Sequence, residues 1–504
     1  MNLRPYQEDF VAGVAKGFHA GFRRLLGVLP TGGGKTICFA KVAQRFWEKR
    51  NEKTLILAHR EELIEQAADK VFTATGITPS IEKAGQHADP DSKVVVGSIQ
   101  TLQSSRLAGW APNHFGLLVC DEAHHAISDQ WQKTLSYFDA RVLGVTATPD
   151  RGDKKRLSVY FEDMAYEIGL LDLIKAGYLS KILIKSMPLK IDLSRVPITG
   201  GEFDAIGLDS AITPYLAEIA RIIAGQFSER KRIVAFLPLV ATSKLFVEKC
   251  REVGINARHI DGASPDRKEI LADYEAGKIH LLSNAMLLTE GWDSPGVDLL
   301  LPLRPLRSRS LYAQIVGRGT RLYEGKENLM LLDPLWMHMK HDLAKPASLV
   351  AVTKQEEESI TKILLAGGER DLGEATMDAA IEREAALIRE IAKNAHRKAM
   401  FLPIESVGAL LKDAKIQHYA PIFDWERIPA TEKQSAVLSR FGLKAETKGE
   451  ASILMGRLFD RSRANLATIQ QLKWLVRMKH PSPETATKAE AKAFLDEKWK
   501  RSLT

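Results

Sequence analysis

The sequence predicts an α/β protein: two tandem, doubly wound parallel-sheet domains followed by a helical C-terminal region. Three observations lead there. Continuous apolar runs recur through the first 345 residues, and the early ones are each followed at once by a polar cluster; runs without alternation are the pattern of strands buried on both faces. Helical stretches such as Thr36 to Trp47 and Glu61 to Phe72 separate the runs, as crossover helices separate parallel strands. Beyond residue 400 the runs give way to short, capped, basic helices.

The 504 residues exceed what one core holds. The pattern divides them into sheet domains over 1–165 and 166–345, a helical connector over 346–400 and a basic helical domain over 401–504. In the first domain the strands are expected at Leu25 to Leu29, Leu55 to Leu57, Val94 to Val96, Leu117 to Cys120 and Val142 to Val145. Each polar cluster then falls at a strand's carboxyl end, where open α/β sheets bind ligands. The second series is expected at Ile233 to Leu237, Arg258 to Ile260, Ile279 to Leu282, Asp298 to Leu301 and Leu329 to Leu332. It has no glycine loop, so a site founded on the first sheet would be completed by the second across a cleft. In the connector, Glu374 to Lys398 is charge-dense, with Met377, Ile381, Ile388 and Ile391 on roughly one helical face.

The C-terminal domain contains a weak internal repeat. Ala430-Thr431-Glu432-Lys433-Gln434 recurs as Ala467-Thr468-Ile469-Gln470-Gln471, and Thr447-Lys448-Gly449-Glu450-Ala451 as Thr487-Lys488-Ala489-Glu490-Ala491. Each block begins with the Thr-x-x-Gln/Glu capping box of a helix start, so four short helices in two hairpins are expected. Leu438 matches Leu475, Arg440 matches Arg477 and Phe459 matches Trp499. From Ala430 onward there are 15 Lys and Arg against 8 Asp and Glu, which is +7 of the chain's +8. That concentration points to a polyanionic partner for this region, with Arg440 and Arg477 as contacts.

No early apolar run suits a signal peptide and none approaches the ~20 residues of a membrane span, so a cytoplasmic protein is expected. Cys38, Cys120 and Cys250 are far apart and form no Cys-x-x-Cys pair. They read as small core residues, which excludes a disulfide framework or a zinc ribbon.

Chemistry is expected first in Pro30-Thr31-Gly32-Gly33-Gly34-Lys35-Thr36, between a strand and a helix. Residues without side chains let backbone N–H groups approach phosphate oxygens, and the following helix adds its positive end. Lys35 would reach the β and γ phosphates of ATP, and the Thr36 hydroxyl would ligate Mg²⁺. Asp121 and Glu122 close an apolar strand. From there an aspartate can hold the metal and a glutamate can polarise the attacking water.

Asp121-Glu122-Ala123-His124 resembles the DEAH box of superfamily 2 helicases. Six further segments are similar to that superfamily's motifs, in order: Leu3 to Gln7 (the adenine-reading glutamine motif), the phosphate loop, Ala58 to Leu63 (motif Ia), Thr146-Ala147-Thr148 (III), Thr289-Glu290-Gly291-Trp292-Asp293 (V) and Gln314 to Arg321 (VI). The phosphate loop departs from the general pattern at Leu29, where glycine is the rule. Within the superfamily the likeness is to bacterial RadD-type and prophage helicases and to the motors of restriction translocases. RadD-type proteins carry zinc-binding cysteines after the motor, which this chain lacks.

The resemblance implies two RecA-like domains and a nucleic-acid-stimulated ATP hydrolase, a helicase or translocase acting on DNA in repair, recombination or phage replication, in a bacterial or phage-infected cell. It implies ATP contacts from Arg4, Gln7, Gly291 and Asp293, catalysis by Lys35, Asp121, Glu122, Arg318 and Arg321, and coupling to the nucleic-acid track through His124, Thr146, Thr148 and Gln314. His59, Arg60, Ser98, Gln100, Thr101 and Thr289 hold positions where family members touch the sugar-phosphate backbone. The same motifs are compatible with an ATP-gated clamp or annealing factor, and with an RNA helicase. The DNA partner would be single-stranded, forked or branched, with no membrane and no zinc.

Overall fold

In the computed structural model of the protein, the first apolar runs form one parallel sheet. Its strands are β1 (Arg24–Val28), β2 (Thr54–Ala58), β3 (Ser80–Glu82), β4 (Val94–Ser98), β5 (Leu117–Asp121), β6 (Arg141–Thr146) and β7 (Asp163–Glu167), in the order β3-β4-β2-β5-β6-β1-β7. Both faces are covered. Leu25, Ile56, Val94, Val96, Val119 and Val145 pack on one side with α1 (Pro5–His19), α2 (Lys35–Arg50) and α3 (Glu61–Thr75). Leu26, Leu55, Leu57, Val95, Leu118 and Val142 pack on the other with Phe115, Trp131 and Phe161. Successive strand residues thus enter opposite cores, which is why the runs carry no polar alternation.

The structure describes residues 2–59, 61–147, 157–187, 189, 191–194, 196–199, 202–285, 292, 294–334, 343–351, 353–366, 368–382, 404–417, 419, 421 and 424–501. They form two compact units, Met1–Ala351 with Glu357–Thr376, and Val352–Glu356 with Met377–Thr504. No helix among the described residues is long and apolar enough to cross a membrane.

The first unit also contains the second sheet: β8 (Lys181–Ser186), then, after a two-stranded ribbon of β9 (Ile198–Thr199) and β10 (Glu202–Phe203), β11 (Ile233–Phe236), β12 (Ala257–Ile260), β13 (Leu281–Asn284), β14 (Leu299–Pro302), β15 (Asn328–Asp333) and β16 (Arg370–Asp371). The order is β12-β13-β11-β14-β15-β8-β16, parallel except for β16, which lies antiparallel to β8 at the edge. The sheet is therefore parallel with one reversed edge strand. The helix α4 (Arg309–Arg318) runs between β14 and β15 and carries the Gln314 to Arg321 segment to the edge facing the first sheet. Of the expected connector helix, 372–382 is helical and 383–403 lie outside the described residues.

The second unit has its own core, including Leu438, Leu454, Leu472, Leu475, Ala491 and Leu495. Its four repeat helices are α5 (Glu432–Arg440), α6 (Lys448–Arg463), α7 (Ile469–Arg477) and α8 (Lys488–Arg501). All four capping boxes close: Thr431 with Gln434, Thr447 with Glu450, Thr468 with Gln471 and Thr487 with Glu490 each exchange reciprocal bonds of 2.8–3.3 Å. Equivalent antiparallel bridges, Pro429 with Thr447 and Leu466 with Thr487, tie each pair. Phe459, which matches Trp499 in the repeat, is 50% exposed. The side chain of Trp499 lies outside the described residues.

All three cysteines are buried. Burial pushes the Cys38 and Cys250 thiols up to about 12, and Cys120 higher still.

The contact between β1 and α1 makes a stability test. A Cβ on Gly27 would lie 2.3 Å from the fully buried Phe10 ring. Gly27→Ala is expected to cost about 1–3 kcal/mol by overpacking, read as a lower denaturant midpoint with an unchanged slope.

Candidate active site

The phosphate loop leaves β1 at Val28 and is tied at once to β6, since the Leu29 N–H donates to the Thr146 carbonyl at 3.0 Å. Leu29 is wholly buried in the core under the loop. That accounts for the departure from glycine at this position: the residue faces the sheet's packing, not a phosphate. Gly32 and Gly34 take φ of +88° and +79°, conformations that side chains rarely adopt. Their surroundings forbid a side chain as well. A Cβ on Gly34 would come within 2.6 Å of Gln7 Nε2, and one on Gly32 within 3.2 Å of Thr320 Oγ1. α2 starts at Lys35, so Lys35 and Thr36 occupy the first turn, where the helix end favours anions.

α1 closes one side of the loop. The Tyr6 hydroxyl donates to the Gly33 carbonyl at 2.8 Å and Gln7 Nε2 donates to the same oxygen at 3.4 Å. Gln7 Oε1 accepts the Arg4 N–H at 3.0 Å. The Arg4 guanidinium lies 5.3 Å from the centre of the Tyr178 ring, which is 4.9 Å from that of Tyr6.

Across the loop stands the acid pair. Asp121 ends β5, and Glu122 turns the chain with φ +55°, a strained value for a residue with a Cβ. The turn places the carboxylate on the loop: Lys35 Nζ is 3.2 Å from Glu122 Oε1 and His124 Nδ1 is 3.5 Å from Oε2. Burial first, then the charge of Glu122, pushes Asp121 up to about 6, against the pull of Lys35 and His59. Burial would raise Glu122 too, but Lys35, His124 and His125 hold it below its ordinary value. Thr31 Oγ1 and Glu122 Oε2 are buried without a hydrogen-bond partner. Oxygen donors from Asp121 and Thr36 fit Mg²⁺ held through few protein ligands and completed by phosphate, and the orphaned polar atoms fit a phosphate and water beside them.

The second sheet reaches this point through α4. A Cβ on Gly317 would fall 2.3 Å from Thr31 Cβ, so the helix backbone rests on the loop. Pro30, Thr31, Ala147, Ala313, Val316 and Gly317 line the narrow gap there. Arg318 Nη1 donates to the Trp292 carbonyl at 2.5 Å. Lys70, on α3, is half-buried; burial lowers its ammonium below the ordinary lysine range, as do the fields of Arg321, Arg318 and Lys35, while Asp121 opposes them. The fields of four expected catalytic residues from two domains therefore reach one lysine that the sequence does not single out.

Of the expected coupling residues, His124 meets Glu122, while Thr146 and Gln314 are buried on β6 and α4. Thr148, Gly291, Asp293, Thr289 and Arg60 lie outside the described residues. The expected strand contacts gather at the ends of β2 and β4. Ser98 Oγ donates to Gln100 Oε1 at 2.8 Å, Gln100 Nε2 donates to the His59 carbonyl at 2.5 Å, and the Thr101 N–H donates to the Ser98 carbonyl at 3.1 Å. The His59 ring lies tilted 4.7 Å from that of His125, and the His125 ring 4.1 Å from that of His124. In the second unit Arg440 and Arg477 are exposed, and Arg477 lies 5.4 Å from the Trp474 ring centre.

Residues 1–151 match the family described as type III restriction enzyme, res subunit, and residues 215–323 the helicase conserved C-terminal domain. The Saccharomyces cerevisiae protein named "Putative ATP-dependent helicase IRC3" is 32% identical over 356 residues, covering 66% of this chain and 51% of that one. A type I restriction enzyme EcoAI endonuclease subunit from Escherichia coli is 25% identical, over 66% of this chain and 46% of its own. Among solved structures, the ATP-dependent type ISP restriction-modification enzyme LlaBIII bound to DNA aligns with 98% of this chain and 41% of that one, at TM-score 0.55 and 15% identity, a likeness of fold. The chain spans about half the length of the curated relatives it matches.

Gly317→Val would place methyl groups inside the van der Waals shell of Thr31. The expected result is a cost of about 1–3 kcal/mol at that contact and separation of the two sheets, seen as a larger radius of gyration in solution scattering. An unchanged scattering profile would contradict the close approach.

Proposed function

The chain carries both motor domains of the superfamily 2 helicase family, and from that premise we propose that it is an ATP hydrolase that couples hydrolysis to movement on, or remodelling of, DNA. The observation that carries this is the close approach of the second sheet's arginine-bearing segment to the phosphate loop: a Cβ on Gly32 would lie 3.2 Å from Thr320 Oγ1 and 3.5 Å from Arg321 Cγ, and one on Gly317 2.3 Å from Thr31 Cβ. A phosphate loop alone binds nucleotide; a loop with cations arriving from a separate domain makes domain closure depend on the γ-phosphate.

The roles follow from position. Tyr6, Gln7, Arg4 and Tyr178 frame the base side of the loop, and Lys35 with the loop amides holds the phosphates. Glu122, kept ionised by Lys35 and His124, orients and polarises the attacking water. Mg²⁺, when bound, offsets phosphate charge from Thr36 and Asp121. Arg321 acts as the arginine finger, and Arg318, tethered to the Trp292 carbonyl, orders the same segment and adds charge. Such fingers supply about 10³ to 10⁵ in rate. Loss of the γ-phosphate releases them, and His124, Thr146, Thr148 and Gln314 pass the change to the strand contacts at His59, Arg60, Ser98, Gln100, Thr101 and Thr289. Those groups suit a sugar-phosphate backbone, which positions a strand without reading it.

DNA is favoured over RNA by the restriction-motor likeness, which includes a protein solved with DNA, and by the basic C-terminal repeat, where Arg440 and Arg477 stand exposed. We place the activity in the cytoplasm, in DNA repair, recombination or phage replication.

ATPase rates measured with single-stranded, duplex and forked DNA and with RNA test the substrate class. DNA is expected to stimulate, and stimulation by RNA alone would replace the DNA reading with an RNA helicase. DNA-stimulated turnover without strand or triplex displacement would replace the helicase with an ATP-gated clamp. Glu122→Gln is expected to lower kcat by about 10²–10⁴ while ATP still binds; turnover at the wild-type rate would sink the catalytic assignment. Removal of residues 404–504 is expected to weaken DNA binding and flatten its salt dependence, each lost phosphate contact removing about 0.9 from the slope on duplex DNA.

A further inference from the structure

Lys326 stands in the turn between α4 and β15, outside every motif segment noted above. Its ammonium donates three hydrogen bonds, to the carbonyls of Gly319 at 2.5 Å, Arg321 at 2.9 Å and Pro295 at 3.2 Å. Three is all that an ammonium can donate. The acceptors form a specific set. Gly319 and Arg321 sit on either side of Thr320 in the segment that bears the arginine finger, and Pro295 lies in a different segment, three residues past Trp292. The Trp292 carbonyl in turn holds Arg318. Ser180 completes the frame, its N–H donating to the Thr320 carbonyl at 2.6 Å and its hydroxyl to that of Arg321 at 3.0 Å.

We propose that Lys326 is a positioning residue for Arg321, its ammonium binding the finger-bearing segment to the chain at Pro295 so that the guanidinium is presented to the phosphate loop in one place. The inference rests on the reading of Arg321 as the arginine finger. Two observations show that the placement needs enforcing. Arg321 is itself buried enough that desolvation lowers its guanidinium below the ordinary arginine value. Its neighbour Thr320 faces Gly32 of the loop closely, so drift of this segment changes the site directly. Arginine cannot replace the lysine, because a planar fork cannot donate to three carbonyls arranged around one nitrogen.

The ammonium is also exposed to proton exchange. A cavity of about 460 Å³ opens beside it, lined by Arg230, Arg232, His280, Asp298, Tyr323 and Lys326. Burial pushes Lys326 down to about 7; Asp298 opposes that, and Arg321 and Arg230 add to it. Asp298 is itself engaged by the Lys231 and Arg232 backbone N–H groups, and Glu324 is the other carboxylate on the wall. Below about 7 the group is charged and donates three bonds; above it the neutral amine donates two and loses its charge.

The test compares Lys326→Met, Arg321→Ala and the double variant by steady-state ATP hydrolysis. Lys326→Met is expected to lower kcat at least about tenfold with the KM for ATP within about twofold, and the double variant to lose no more than Arg321→Ala alone, the sign of residues acting as a unit. Independent losses that multiply, or a wild-type kcat in Lys326→Met, would overturn the proposal. Arg321→Ala turning over at the wild-type rate would overturn both the finger reading and this inference, whereas a dead Arg321→Ala beside an active Lys326→Met overturns the inference alone. If Lys326→Met does not fold, Lys326→Arg decides: it keeps the charge but cannot donate to all three carbonyls, so kcat is expected to fall at least about tenfold with the KM for ATP within about twofold, and a wild-type kcat refutes the proposal.

Discussion

The site depends on how closely a helix backbone can lie on a loop backbone. Gly317 has no side chain, and Thr31 occupies the space one would fill. This contact brings the end of α4, with Thr320 and Arg321 just beyond it, to the edge of the phosphate loop. The second sheet carries no phosphate loop among the described residues, so the proposed site is shared between the two, and a single methyl group is large on the scale of their separation.

Charge then makes the contact conditional. Asp121 is held near 6 by burial and by Glu122, while the fields of Lys35, Arg318 and Arg321 all act on Lys70 from the positive side. Cations in a low-dielectric space repel one another, so closure of the two domains is least favourable when nothing anionic lies between them. On the proposed function a triphosphate would supply that anion and hydrolysis would remove part of it, so the positive charge that would bind nucleotide would also loosen the closed state afterwards.

Much of this was legible in the residues. Runs such as Leu117 to Cys120 carry no polar alternation because both faces of each strand are covered, and that located the central strands of both sheets. The edge strand β12 was expected, but β3, β7, β8 and β16 at or near the edges were not. β7 (Asp163–Glu167) is only half-buried along its length, and β8 (Lys181–Ser186) alternates in a way a surface loop could match. In the site, Lys35, Asp121 and Glu122 announce themselves by local spacing, since loop, strand end and helix start are contiguous. Tyr178, Lys70 and Lys326 do not. Lys70 belongs to an amphipathic helix on which a lysine reads as solvated, and only the folded chain leaves it half-buried. Lys326 follows Gly325 in an ordinary-looking turn, and its three acceptors include one 31 residues away. Tertiary closure assigns such residues, and no local pattern encodes it.

The buried cysteines have a consequence of another kind. With every thiol enclosed and its proton held far above neutrality, the reactive thiolate is scarce at each of the three positions. Oxidants, disulfide exchange and alkylating reagents find no ready partner in the folded chain. A single thiol introduced at the surface would therefore be, chemically, the only one the folded chain presents.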